Sequence, residues 1–98
     1  MDTKYLFILI CNYENITDVP MLNKCLTFSY SSKEKALDKL NSAFEKYYKK
    51  MQQAITDRNN GDFKESDITV IKNEYRFILT DLMHLTVEAE IRILVDDV

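Results

Sequence analysis

Between Ser31 and Asn60 the apolar residues return every three or four positions: Leu37, Leu40, Phe44, Tyr47, Tyr48, Met51 and Ile55. At 3.6 residues per turn these side chains gather into one stripe, with Ala36, Ala43 and Ala54 along its edge. Ser31-Ser32-Lys33-Glu34 supplies a start signal, with Ser31 as N-cap and Glu34 three residues later, and Asn59-Asn60-Gly61-Asp62 supplies the stop. A long amphipathic helix over about 32–57 follows. A helix with a single apolar stripe has to bury that stripe against another layer, which restricts the fold to those with a partner surface of matching size.

That partner is a sheet. Residues 4–12 are apolar in both parities (Tyr5, Phe7, Leu9 and Cys11; Leu6, Ile8 and Ile10), the pattern of a central strand covered on both faces. Residues 13–24 read as a connection through Asn15, Asp18 and Pro20, and Cys25–Tyr30 as a short second strand. After the helix come a short strand at Ile68–Ile71, a second at Glu74–Thr80 and a third at His84–Val95, with Asp81–His84 as the hairpin turn. In the last strand Leu85, Val87, Ala89, Ile91, Ile93 and Val95 share one parity, and His84, Thr86, Glu88, Glu90 and Arg92 the other. The expectation is a single α+β domain over 1–98. It is a two-layer sandwich in β-β-α-β-β order, with a mainly antiparallel sheet of four to five strands under one helix.

One helix covers one sheet face, whereas the first strand asks for two covers. Three remain open: the 13–24 connection with Val19, Met21 and Leu22, a second copy in a homodimer, or a foreign protein.

Composition excludes several chemistries. A lone glycine, Gly61, rules out phosphate loops that need two or more, and one histidine with two cysteines is too few for a standard zinc site. Cys11 and Cys25 allow at most one disulfide and read as reduced thiols, with Cys11 a buried structural one. The apolar run Tyr5–Cys11 is too short for a membrane span and lacks a cleavage site, so a soluble, cytoplasmic protein is expected. Phe, Ile, Lys, Asn and Tyr number 37 against 9 for Gly, Ala, Arg and Pro, the bias of an AT-rich bacterial, phage or viral genome.

Charge is polarised. Residues 1–56 carry eight basic and six acidic side chains, a balance of +2, and residues 57–98 carry five and ten, a balance of −5. Overall acidity argues against a dedicated nucleic-acid binder. Lys35, Lys39, Lys46 and Lys50 form a basic stripe expected to lie roughly opposite the apolar one. A stripe of this kind either keeps a solvated face soluble or tracks phosphates, and no exposed aromatic is expected beside it for base stacking. Glu88 and Glu90 share a strand face, and with Glu74, Arg76 and Arg92 they define an acidic hairpin face as the candidate partner-binding surface. Asp57, Asp62, Glu65 and Asp67 do not follow calcium-loop spacing. His84, on the polar parity at a turn, reads as a surface histidine. No catalytic, cofactor or metal residues are assigned, and the chain is not expected to be an enzyme.

The function expected is a non-catalytic protein-binding module, in one version a small phage or viral inhibitor that blocks a host protein such as a defence nuclease. The alternatives are a structural or regulatory homodimer and weak nucleic-acid binding along the lysine stripe.

Overall fold

The computed structural model describes residues 3–11, 24–83 and 85–95, and of residues 24–26 the backbone only. Five strands and one helix follow in the order β1 (Thr3–Cys11), β2 (Lys24–Tyr30), α1 (Lys33–Arg58), β3 (Thr69–Lys72), β4 (Arg76–Thr80) and β5 (Thr86–Val95), with a 3-10 turn at Glu65–Asp67. The strands form one antiparallel sheet in the order β2-β1-β5-β4-β3. The α+β two-layer sandwich expected from the sequence is present, with five strands. The middle strand is β5, with β1 beside it.

The topology explains the length of the helix. β2 and β3 are the two edges of the sheet, so the connection between them has to cross all five strands. The edges are four spacings apart, about 19 Å, and 26 helical residues rise about 39 Å, enough to cross on a diagonal. Under the helix lie Phe7, Leu9 and Cys11 of β1, Phe77 and Leu79 of β4, and Val87, Ala89 and Ile91 of β5. Ala36, Leu40, Ala43, Met51 and Ile55 of α1 meet them, and Ile68 joins the same cluster. Cys11 is a free, buried thiol. Small residues on both layers, Ala36 and Ala43 above and Ala89 below, let helix and sheet approach closely. Phe44 packs edge-on against Phe77, with centroids 5.4 Å apart at 80°.

The ends of the elements differ from the sequence reading where side chains capture backbone groups. The N-cap is Ser32, one residue later than expected. Its Oγ accepts from the Lys35 N–H at 3.4 Å, so Glu34 lies in the first turn rather than closing a capping box. At the other end Asn60 and Gly61 both have positive φ, and the Gly61 N–H donates back to the Thr56 carbonyl at 2.9 Å. This six-to-one closure satisfies the Thr56 carbonyl in the last turn of the helix. Glu74 and Tyr75, expected in a strand, form the β3–β4 turn, because the Asn73 side chain accepts the Tyr75 N–H at 2.9 Å. β5 begins at Thr86, since the β4–β5 turn is organised by Asp81. His84 lies outside the described residues.

Strand alternation sends the other parity of each strand to the opposite side of the sheet. Among the described residues no element lies over that side. The expected second cover for β1 is therefore not met by any described element, and residues 12–23, which include Val19, Met21 and Leu22, lie outside the described residues.

Candidate interaction face

The open side of the sheet is built from three rows. β1 contributes Lys4, Leu6, Ile8 and Ile10; β5 contributes Glu88, Glu90 and Arg92; β4 contributes Arg76, Ile78 and Thr80. Register places Leu6 level with Arg92, Ile8 with Glu90 and Ile10 with Glu88. Leu6, Ile8 and Ile78 are half-buried and Ile10 is 48% exposed, so the apolar row is wetted from above and shielded only by its long polar neighbours. Ile71 of the edge strand β3, opposite Ile78, continues this apolar material and is exposed.

The charged row is not acidic in effect, which corrects the sequence expectation. The Arg76 Nη2 lies 2.6 Å from Glu88 Oε1, with its Nε at 3.2 Å. The Arg92 guanidinium holds Glu90 Oε1 at 3.1 Å. Two carboxylates and two guanidiniums thus make a neutral rail. Exposed pairs of this kind contribute little stability, about 0–1 kcal/mol each, but they fix where charge of each sign is presented. Glu74 does not belong to the face. It sits in the β3–β4 turn, with its carboxylate 3.8 Å from Lys33 Nζ at the start of α1. The Lys33 ammonium is held above the ordinary lysine pKa, chiefly by the Tyr75 hydroxyl and secondarily by Glu74. Of the five residues assigned to this surface, Arg76, Glu88, Glu90 and Arg92 come together.

The lysine stripe is also displaced from its expected position. Lys39, Lys46 and Lys50 lie roughly 75–115° around the helix from the centre of the buried stripe, on the β2 side rather than opposite it. Lys39 Nζ stands 5.2 Å from the Phe28 centroid and 5.9 Å from that of Phe7, and Lys46 and Lys50 stand 5.6 and 5.7 Å from Tyr47. Lys35 lies a turn further toward the N-terminus and is exposed. A cleft of about 140 Å³ opens here, walled by Phe7, Phe28, Ala43 and Tyr47 with Lys39 and Lys46 at its rim. Burial raises the Tyr47 pKa above the ordinary tyrosine value, with the Cys11 thiol adding to the shift. Phe28 is 44% exposed, so an aromatic does stand beside the lysines, contrary to the sequence expectation. The alternation of Cys25–Tyr30 carried that signal, but which parity lay beyond the helix depended on how far the helix reaches across β2.

The acidic residues in the last turn of the helix and after it serve backbone and side-chain neighbours. Asp67 Oδ2 accepts the Lys64 N–H at 2.9 Å, and Asp57 Oδ1 accepts from Gln53 Nε2 at 2.8 Å. Among the described residues no three His, Cys, Asp or Glu side chains gather as metal ligands, and no helix is long and apolar enough to cross a membrane.

The fold and face together define a class: an α+β sandwich whose second sheet side, free of cover among the described residues, carries an apolar row beside an ion-paired rail. No known protein family, curated protein or solved structure matches the chain.

Proposed function

We propose that this chain is a non-catalytic protein-binding module that works through the open face of its sheet. The observation that supports it is the juxtaposition of Leu6, Ile8 and Ile10 with the Arg76–Glu88 and Arg92–Glu90 pairs on a side that no described element covers. An apolar row gives such a surface its affinity, and a rail of fixed charges gives it orientation and selectivity. The carboxylates of this face are engaged by guanidiniums, which suits recognition rather than acid–base work.

Ile8→Lys tests the reading. A lysine at this position faces Glu90 across the strand pair, so the fold keeps a favourable cross-strand contact and Tm shifts by no more than a few degrees. Immobilised wild-type protein retains a stoichiometric protein, whether a second copy or a component of a lysate of the source cells. The Ile8→Lys protein retains neither. Equal retention by both would remove the open face as the working surface.

A second reading is favoured by one observation, the exposed Phe28 ring beside Lys39. Bases stack on aromatic side chains while ammonium groups track phosphates, so the cleft side supports weak single-stranded nucleic-acid binding. Binding of an oligothymidylate at low salt is expected to fall steeply as salt rises and to disappear in Lys39→Glu/Lys46→Glu. Affinity unchanged in that double variant would end this reading.

A further inference from the structure

We infer that the occupant of the open face is a second copy of this chain, packed face to face about a two-fold axis that runs across the strands at the height of Ile8 and Glu90. The inference rests on the protein-binding reading of that face and names its partner. It follows from the order of residues along two neighbouring rows. From one end of the face to the other β1 presents Leu6, Ile8 and Ile10, while β5, running the opposite way, presents Arg92, Glu90 and Glu88 at the same three heights. An axis in the interface plane and perpendicular to the strands lays each strand antiparallel on its own copy. Ile8 then meets Ile8, Leu6 meets Ile10, and Arg92 meets Glu88, the last two pairings made twice by symmetry.

On the axis itself Arg76 and Glu90 stand side by side, at paired positions of β4 and β5. Each Arg76 therefore lies over its own copy and, one strand spacing away, each Glu90 over its own, so that the four charges on the axis sum to zero. An axis parallel to the strands matches less of the face. Along β1 or between β1 and β5 it sets the charged rail over Thr27 and Ser29 of β2 or over the apolar row, along β5 it sets Glu90 on Glu90, and between β5 and β4 it pairs Glu90 with Arg76 but carries Leu6 and Ile8 past the end of β3, without apolar partners. The crossing axis gives all three apolar residues of β1 apolar partners while setting Arg92 against Glu88. Antiparallel sheets stacked this way fall in the aligned class of sheet packing, about 10 Å apart.

Size sets the strength. Four strands about 4.8 Å apart and seven residues rising about 3.3 Å each give a footprint of roughly 400 Å² in projection. Side chains standing on the face raise its accessible area above that figure, toward the low end of specific interfaces, where about 800 Å² per partner is standard. The dimer is accordingly a small one that dissociates on dilution.

The test is light scattering after size exclusion on the full chain over a tenfold concentration range, with a charge-reversed pair of variants. Wild-type mass is expected to rise toward twice 11.6 kDa at the upper concentration. Glu88→Arg alone sets guanidinium against guanidinium where the rails of the two copies cross, and Arg92→Glu alone sets carboxylate against carboxylate there. Each is expected to dimerise at least tenfold more weakly than wild type. An equimolar mixture restores the dimer, because the two altered surfaces are complementary to one another and not to themselves. That recovery also shows both variants to be folded. A mixture no tighter than its separate components overturns the proposed axis. A wild-type chain that stays monomeric throughout overturns the second-copy inference. In that case the protein-binding reading stands if Ile8→Lys still abolishes retention of a different protein, and falls with it if retention is unchanged.

Discussion

Phe77→Ala is expected to lower the unfolding free energy by about 3–5 kcal/mol, among the largest single effects in the molecule. Phe77 is fully buried on β4, level with Ala89 of β5, and its ring meets Phe44 of α1 edge-on. It thus joins the helix to the half of the sheet farther from β1. Removing the ring leaves a void with walls on two layers. The small Ala89 at its side cannot fill the void, so little relaxation offsets the loss. A domain of this size has only about 5–15 kcal/mol in total, so the variant should melt at least ~12 °C lower. The control is Phe28→Ala, in which a ring nearly half exposed on the β2 side is removed. Urea denaturation of both, compared at unchanged m, checks the claim. A loss at Phe77 below about 1.5 kcal/mol would show that the two layers close around the missing ring.

Asp81→Ala is expected to cost about 2–3 kcal/mol, although the residue is polar and lies in a turn. Only 4% of it is exposed. Its Oδ1 accepts the Met83 N–H at 2.8 Å and the Leu85 N–H at 3.0 Å, while its own N–H donates to the Leu85 carbonyl at 3.0 Å. One carboxylate oxygen therefore holds the chain reversal that sets the β4–β5 register, and with it the height of Glu88 against Arg76. Alanine removes the acceptor and leaves two backbone donors to find water. Asparagine keeps the Oδ1 acceptor, so Asp81→Asn should retain more than half of the lost stability. Amide exchange at Met83 and Leu85 should speed up in the alanine variant and change much less in the asparagine one. If asparagine proves as costly as alanine, the turn is held by the charge and not by the two hydrogen bonds.

Both residues illustrate how legible the candidate site was. The alternation of β5 separated Val87, Ala89 and Ile91 from Glu88, Glu90 and Arg92, and the structure keeps that division. The second apolar side of β1 was equally plain from Leu6, Ile8 and Ile10, although three covers for it stayed open. Glu74 was misplaced because a strand pattern cannot register that the Asn73 side chain binds the Tyr75 N–H and ends the strand. The lysines were put opposite the apolar stripe because the stripe was centred on its large residues, whereas the fold buries Ala36 and Ala43 and leaves Leu37, Phe44 and Tyr48 partly exposed, which moves the buried centre toward the lysines. In the folded chain the helix crosses toward the β2 edge, and Lys39, Lys46 and Lys50 lean over aromatic rings there.

The sequence by itself determined the kinds of element and their faces, because the periods of 3.6 and 2 are properties of neighbouring residues and need no knowledge of the rest of the chain. Only the tertiary structure decided the strand order β2-β1-β5-β4-β3, the ion pairing that turns an acidic row into a neutral rail, and the height at which Ile8 meets Glu90. Those depend on register between segments far apart in the chain, as β1 and β5 are, and a slip of one position would send every side chain of a strand to the other face.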